Sequence, residues 1–594
     1  METFKSEVRD GMRIDWDVPI EMDDGVILRC DVYRPIEEGT YPAIISYGPY
    51  AKWLHLADGY PNQWKVMTEK HPETVAGTSN KYQNWELVDP EKWVPDGYAC
   101  VRVDSRGAGR SPGFMDIWSP RETKDFHDCI EWAAAQPWCS GKVGLNGISY
   151  YGMNQWVVAT LHPPHLAAMC VWEGAADLYR DLSHHGGILC LFGDTWYRDT
   201  VTLRQHGRGN RDWRSRINGE WSSGPETLTV EELGANRTDF GQDLLDHPLI
   251  GDYWQARMPD YSKINVPLLS AGNWGGVGLH PRGNIEGFLH AASEQKWLEM
   301  HGLDHFTHFY TDYGVNLQKR FFGHFLKGED TGWDKQPNVT LQVRHPGEKF
   351  VERAEDEWPL ARTQWTKFYL HPDSMTLSTD PQTEMGSLTY NPMGEGLTFL
   401  TSPLKTETEI TGPVTARMSI SSETEDADIF LVLRVFTPEM REVTFQGSND
   451  PHTPVGLGWL RASHRKLDPE RTLPYRPYHT HDEKQPLTPG EVVDLDVEIW
   501  PTSIVAPAGY RIGLSLRGKD YVYPGFEQPP MPVSGRIYSG VGPFRHDHNK
   551  DRPLDVFGGQ VTLHTGPNRP AHVLLPIIPA RDGTQYSEAT ISQG

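Results

Sequence analysis

The stretch GKVGLNGISYYG at residues 141–152 sets a short apolar run against a Gly-Ile-Ser turn, and the segment from Tyr150 to about His162 has the spacing and composition of a helix. A strand that passes straight into a helix through such a turn projects the hydroxyl of Ser149 above the edge of a sheet. The backbone N–H after the serine then points where an oxyanion can be held. Gly147 and Gly152 supply clearance around it. In the common pattern G-x-S-x-G the second glycine stands two residues after the serine, and here that position is Tyr151.

The segments on either side continue the same alternation. GVILRCDVYRP at 25–35 and YPAIISYGPY at 41–50 read as strands. GYACVRVDSRGAGRSPG at 97–113 reads as a strand with a Gly-rich turn, TKDFHDCIEWAAAQPW at 123–138 as a helix, and LAAMCVWEG at 166–174 as a strand. Strands alternating with helices imply a mostly parallel sheet covered on both faces. From about 180 to 262 the chain becomes polar and aromatic-rich without strand alternation, which suggests an inserted helical cap. VPLLSAGNWGG (266–276), QKWLEMHGLDH (295–305) and the helical YGVNLQKRFFGHFLKG (313–328) resume the sheet, which is expected to end near 345. Beyond 360, short apolar runs such as DIFLVLRVFT and YRIGLSLRG are separated by Pro, Gly and Asp, which suits an antiparallel jelly roll. The expected organisation is an α/β-hydrolase core over 1–180 and 265–350, a helical cap over 181–264, and a C-terminal all-β jelly-roll domain over 351–594.

Composition removes several function classes. A net charge of −24 without a basic run argues against nucleic acid and anionic membrane as partners. No stretch approaches the length of a membrane span, and the first twenty residues lack a signal-peptide core. The six cysteines (30, 100, 129, 139, 170, 190) have no regular spacing, which argues for reduced thiols and a cytoplasmic protein, with the sequons at Asn236 and Asn338 uninformative there. His184-His185 lacks the i, i+4 spacing of two imidazoles on one helix face, and GAGRSPG is not a dinucleotide fingerprint. Neither a metal nor a cofactor is expected, and the oligomeric state stays open to a homo-oligomer.

GKVGLNGISYYG, the segment Gly48-Pro-Tyr-Ala-Lys52, DSRGAGRSPG at 104–113 and the C-terminal β-rich half together resemble the cocaine-esterase and X-Pro dipeptidyl-peptidase (CocE/NonD) group of serine hydrolases over nearly the whole chain. The resemblance implies Ser149 as nucleophile, His305 as general base, and an oxyanion hole from the Tyr50 hydroxyl and the Tyr150 N–H. His301 and His308 compete for the base, and Asp104 and Arg106 are read as turn-building. The family's acid, an Asp, falls on Gly275, so there is no carboxylate to carry over. Glu173, at the end of the strand AAMCVWE, is the leading replacement because its strand end lies one strand from the expected base. Asp177, Asp304 and Glu286 are the competitors.

The aromatic segments from 51 to 93 (Trp53, Trp64, Trp85, Trp93) and the cap residues His184, His185 and Trp196 are expected to line an acyl or leaving-group pocket, with Trp53, Trp274 and His184 in contact with substrate. The implied chemistry is hydrolysis of a small carboxylic ester or amide through an acyl-enzyme, with an X-Pro peptidase, an acyltransferase or a carbon–carbon bond hydrolase as alternatives. A binding protein on a retired scaffold is the alternative from outside enzymology.

Overall fold

The computed structural model describes residues 4–448, 450–525 and 540–580. Three antiparallel strands, β1 (Lys5–Arg9), β2 (Met12–Glu21) and β3 (Ile27–Arg34), lead into a parallel series: β4 (Tyr41–Gly48), β5 (Ala99–Asp104), β6 (Cys139–Ile148) and β7 (Leu166–Trp172). The two-residue strands β8 (His184–His185) and β9 (Ile188–Leu189) form a small hairpin of their own. The main sheet resumes with β10 (Leu268–Asn273), β11 (Lys296–His301) and β12 (Val339–His345), all parallel, and closes with the antiparallel β13 (Lys349–Glu355). Its strand order is β1-β2-β3-β5-β4-β6-β7-β10-β11-β12-β13.

The central strands are buried on both faces, which is why they read as continuous apolar runs rather than alternating ones. Ile44, Cys100, Cys170 and Leu269 enter one core, while their chain neighbours Ile45, Val101, Val171 and Leu268 enter the other. Covering helices start where the sequence supplies caps. Ser119 accepts the Glu122 N–H ahead of Pro120–Ala134, and Thr311 accepts the Gly314 N–H ahead of Asp312–Phe322.

One sheet expectation needs correction. The sheet does not end near 345, because His345–Lys349 is a hairpin turn and β13 adds an edge strand across the expected boundary at 350/351. A Pro-Gly pair there marks a turn inside the sheet and not the end of it. Two antiparallel strands precede those expected: β1 lies at the sheet edge, and β2, MRIDWDVPIE, lies between β1 and β3 and alternates apolar and polar residues as a strand does.

Between β7 and β10 the chain runs through the β8–β9 hairpin and short helices (Phe192–Trp196, Val230–Ala235, Phe240–Asp246, Asp252–Gln255). The second sheet begins at Gln364–His371. Its long strand Thr408–Ser422 pairs with Val493–Ala506 on one side and with His572–Ile578 on the other, so the circuit of strands closes on itself around an aliphatic core. Arg282 binds Glu498 at 3.1 Å, and Arg344 donates to the Ser503 carbonyl at 2.7 Å. Both guanidinium groups are almost fully buried, so they join the two halves where water cannot compete.

A chain ended at residue 350 cuts β13, takes Glu498 from Arg282, which keeps Asp181, and removes the Ser503, Thr502 and Val455 acceptors of Arg344. Such a fragment is expected to be insoluble or inactive when expressed and tested by gel filtration and ester turnover. A soluble fragment with full activity would overturn this.

Candidate active site

Ser149 sits between β6 and the helix Tyr150–Ala159 with φ 57° and ψ −114°, a region that a side-chain-bearing residue enters at a cost of about 1–3 kcal/mol. The surroundings over-determine it. A Cβ on Gly147, which has φ 154°, would lie 2.4 Å from the Cβ of Tyr151. Tyr151 is tolerated where the usual turn has glycine because the compensating glycine is on the next strand: a Cβ on Gly48 would meet the Tyr151 ring at 2.6 Å. Tyr150 is the first residue of the helix, so its N–H belongs to the group that finds no partner within the helix.

The ends of β4, β6, β7, β10 and β11 lie on one edge of the sheet, where parallel α/β sheets gather their sites. Glu173, just beyond β7, is fully buried, and its Oε2 lies 2.7 Å from Nδ1 of His305 on the loop after β11. Its other oxygen takes longer contacts of 3.4 Å from His301 Nε2 and from Asn273 Nδ2. Asn273, at the end of β10, also donates to the carbonyls of Leu303 and Asp304 at 2.9 Å, which ties the His305 loop to the strand beside Glu173. Burial works against the Glu173 anion, yet the imidazoles of His305 and His301 hold its carboxyl down to about 2. Burial likewise opposes the charged form of His305, but the Glu173 carboxylate, assisted by Glu86, overrides it and pushes the ring up to about 10.

The other histidines and carboxylates have separate duties. His301 Nδ1 lies 2.6 Å from Glu299, behind Glu173. His308 meets Gln342 at 2.9 Å. Asp304 accepts the N–H groups of Phe306 and Thr307 and builds its own loop. Asp177 pairs with Arg180 and Glu286 with Arg476. Asp104 accepts the N–H groups of Lys52 and Arg110, and Arg106 pairs with Asp125, as turn-building residues do.

Two residues that sequence reasoning passed over lie against Ser149 and His305. His280, before the helix Pro281–His290, places Nε2 3.4 Å from the Ser149 Oγ and stacks on His305 with ring centroids 5.1 Å apart. The Ala175 N–H donates to its Nδ1 at 3.3 Å, so the ring proton is on Nε2 and His280 donates to the serine. Burial and the neighbouring His305 keep it neutral. Glu86 places Oε1 2.9 Å from Nε2 of His305. Neither residue belongs to a spacing pattern: each arrives from a loop, and only the fold brings it to the serine.

Ser149, His280, His305 and Glu86 open into a cavity of about 140 Å³ whose walls include Tyr50, Trp85, Trp196 and, from the C-terminal half, Ser448 and Phe544. The Tyr50 hydroxyl accepts from Trp196 Nε1 at 3.0 Å, which leaves its own proton to be donated. Trp53, Trp274 and His184 do not line this cavity. The Trp53 indole donates to Asp31 at 2.8 Å beneath the cations of Lys52 and Arg110, Trp274 donates to the Gln342 carbonyl at 2.9 Å, and His184 stacks on Tyr179 at 4.7 Å. Each is committed to the interior. Trp85 and Trp196 take the places expected of them.

The position matched to the family Asp is filled rather than open. A Cβ on Gly275 would lie 2.4 Å from the Gln446 carbonyl oxygen and 2.9 Å from the Gly447 Cα.

Residues 24–307 match the family model for X-Pro dipeptidyl-peptidase (S15 family), and residues 331–574 match that for the X-Pro dipeptidyl-peptidase C-terminal non-catalytic domain. A CocE/NonD family hydrolase from Staphylococcus aureus, solved as a crystal structure, is 30% identical with a TM-score of 0.82, covering 96% of this chain and 94% of its own. The chain belongs to the CocE/NonD hydrolases. Within this family of serine hydrolases it is similar to the cocaine esterase of a Rhodococcus species, 25% identical over 94% of this chain and 98% of that protein. It is also similar to a putative serine esterase of Mycobacterium bovis, 24% identical over 84% of this chain and 90% of that one. An α-amino acid ester hydrolase shares the fold, with a TM-score of 0.62. This CocE/NonD hydrolase thus has an α/β-hydrolase core followed by a C-terminal β domain.

Proposed function

We propose that this enzyme hydrolyses a small carboxylic ester or amide through an acyl-enzyme on Ser149. The observation that carries the reading is the strained Ser149 turn opening on a cavity in which Glu173 grips one nitrogen of His305. In the proposed cycle His305 Nε2 takes the Ser149 proton as Oγ attacks the carbonyl, Glu173 stabilises the imidazolium, and the Tyr50 hydroxyl and Tyr150 N–H receive the oxyanion. His305 then protonates the leaving group, and water repeats the sequence in reverse. The tautomer of His280 suits it to hold the Oγ lone pair and not to remove the Oγ proton.

The cavity walls include six aromatic side chains (Tyr50, Tyr60, Trp85, Phe192, Trp196 and Phe544) and charged groups of both signs, Glu86, Asp199 and Arg204, so the lining suits an acyl compound with an apolar or aromatic part and sets no charge of its own. Names among the relatives, cocaine esterase and Xaa-Pro dipeptidyl-peptidase, span esters and amides, so turnover of a panel of acyl esters, acyl amides and X-Pro anilides decides the class. We further assign the segment over 181–264 as a cap and the C-terminal half as a jelly roll. Six buried cysteines without a disulfide support a cytoplasmic site of action, and among the described residues no helix is long and apolar enough to cross a membrane.

A fluorophosphonate tests the base. His305→Ala is expected to abolish labelling, whereas His308→Gln and His301→Gln keep a good part of it. His301→Gln should also cost stability, because it takes the imidazole from the buried Glu299 carboxylate and leaves it the Tyr313 hydroxyl. Loss of labelling at His301 together with retention at His305 would transfer the role.

A further inference from the structure

Glu86 is the one carboxylate that meets His305 from the cavity side. Its backbone has φ 63°, in the left-handed region a glutamate rarely enters, and its carbonyl accepts the Ile148 N–H at 3.2 Å, which fastens it to β6 one residue before the nucleophile. The side chain is 2% exposed. Oε1 binds His305 Nε2, while Oε2 is buried with no partner. Leaving a buried carboxylate oxygen unpaired is costly, and the turn that carries it is strained, so the contact is held in place by the surrounding structure.

The protons on the ring explain what this contact does. Nδ1 donates to Glu173, and a bond from Nε2 to a carboxylate requires a second proton between that nitrogen and Glu86. Nε2 is the atom that must accept the proton of Ser149, and while it is engaged this way it has no lone pair to offer. We propose that Glu86 is a positioning residue that parks the base: in the empty site it engages His305 Nε2, and acylation requires that this bond open so that the freed nitrogen can turn to Ser149. The proposal rests on the reading of Ser149 as nucleophile and His305 as base.

The groups facing the pair are Glu173 at Nδ1, the neutral His280 stacked on the ring, the hydroxyls of Tyr50, Tyr60, Tyr151 and Tyr310, the Trp85 side chain beside Glu86, and Asp199 and Arg204 across the cavity. Burial raises the Glu86 carboxyl to about 7, against the pull of His305, and the two carboxylates raise His305. The parked form therefore carries one proton more than the form that can acylate, and activity should rise with pH as that proton leaves. Removing the Glu86 charge removes one of the two anions that hold the imidazolium, so it must lower the pH at which the base becomes free.

The test is the pH dependence of kcat/KM for a p-nitrophenyl ester, and of fluorophosphonate labelling, in wild type, Glu86→Gln and Glu86→Ala, with circular dichroism to verify the fold. The acid limb is expected to move down by about one pH unit or more in both variants, with labelling below the wild-type limb faster by about tenfold or more and a plateau within a few-fold. An unmoved limb would overturn the proposal, as would a collapsed plateau in both folded variants, since either outcome gives Glu86 no restraining role. Labelling that survives Ser149→Ala would instead refute the nucleophile on which the proposal rests, and the Ser149→Ala control separates the two failures.

Discussion

Ser149→Ala is expected to leave the fold unchanged and to lower turnover of any substrate by about 10⁴ or more, because the residual rate then comes from the oxyanion donors and binding alone. Alanine suits the test because it keeps the Cβ, and with it the unusual backbone at φ 57°; glycine would relax the turn and mix two effects. The variant should also resist a fluorophosphonate that labels the wild type once. Near-normal turnover, or a label on another residue, would refute the assignment.

Glu173→Gln is the second large effect. The glutamine has nearly the same volume and can still face Nδ1 of His305 through its oxygen, but it brings no charge to balance the imidazolium formed as Ser149 attacks. Turnover is expected to fall by about 10³–10⁴, with the melting temperature little changed, because His301 keeps its second carboxylate, Glu299. A variant that melts normally and turns over normally would show that the acid is elsewhere. Gly275→Asp should not rescue Glu173→Gln, since any side chain at 275 runs into the 446–447 backbone.

Much of this site is legible in the amino-acid sequence. The strand, turn and helix around Ser149 are written in local text, and Glu173 can be suspected because strand ends in a parallel sheet share one edge. The histidine loop is harder: LEMHGLDH offers two rings within a few residues, and their separation into a cavity-facing His305 and a buried His301 depends on the contacts of Asn273 with the loop carbonyls. Glu86 and His280 are not legible, because both are loop residues whose partners lie more than 100 positions away in the chain. The aromatic wall is only partly legible for a related reason: of the aromatics expected there, Trp85 and Trp196 line the cavity and Trp53 and Trp274 do not. A tryptophan in sequence advertises bulk, but whether it lines a cavity or fills the interior is decided by what its indole N–H can reach, and Trp53 and Trp274 find acceptors inside the fold. The hairpin His345–Lys349 shows the same limit at the level of domains, since a Pro-Gly turn is the same text inside a sheet as between two bodies.

The backbone of residues 446–447 pressed against Gly275 makes the C-terminal half a part of the wall behind the site. Ser448, one residue further on, lines the same cavity as Ser149, so a side chain introduced at 275 would push on the segment that carries Ser448 and reshape the cavity from outside the hydrolase sheet.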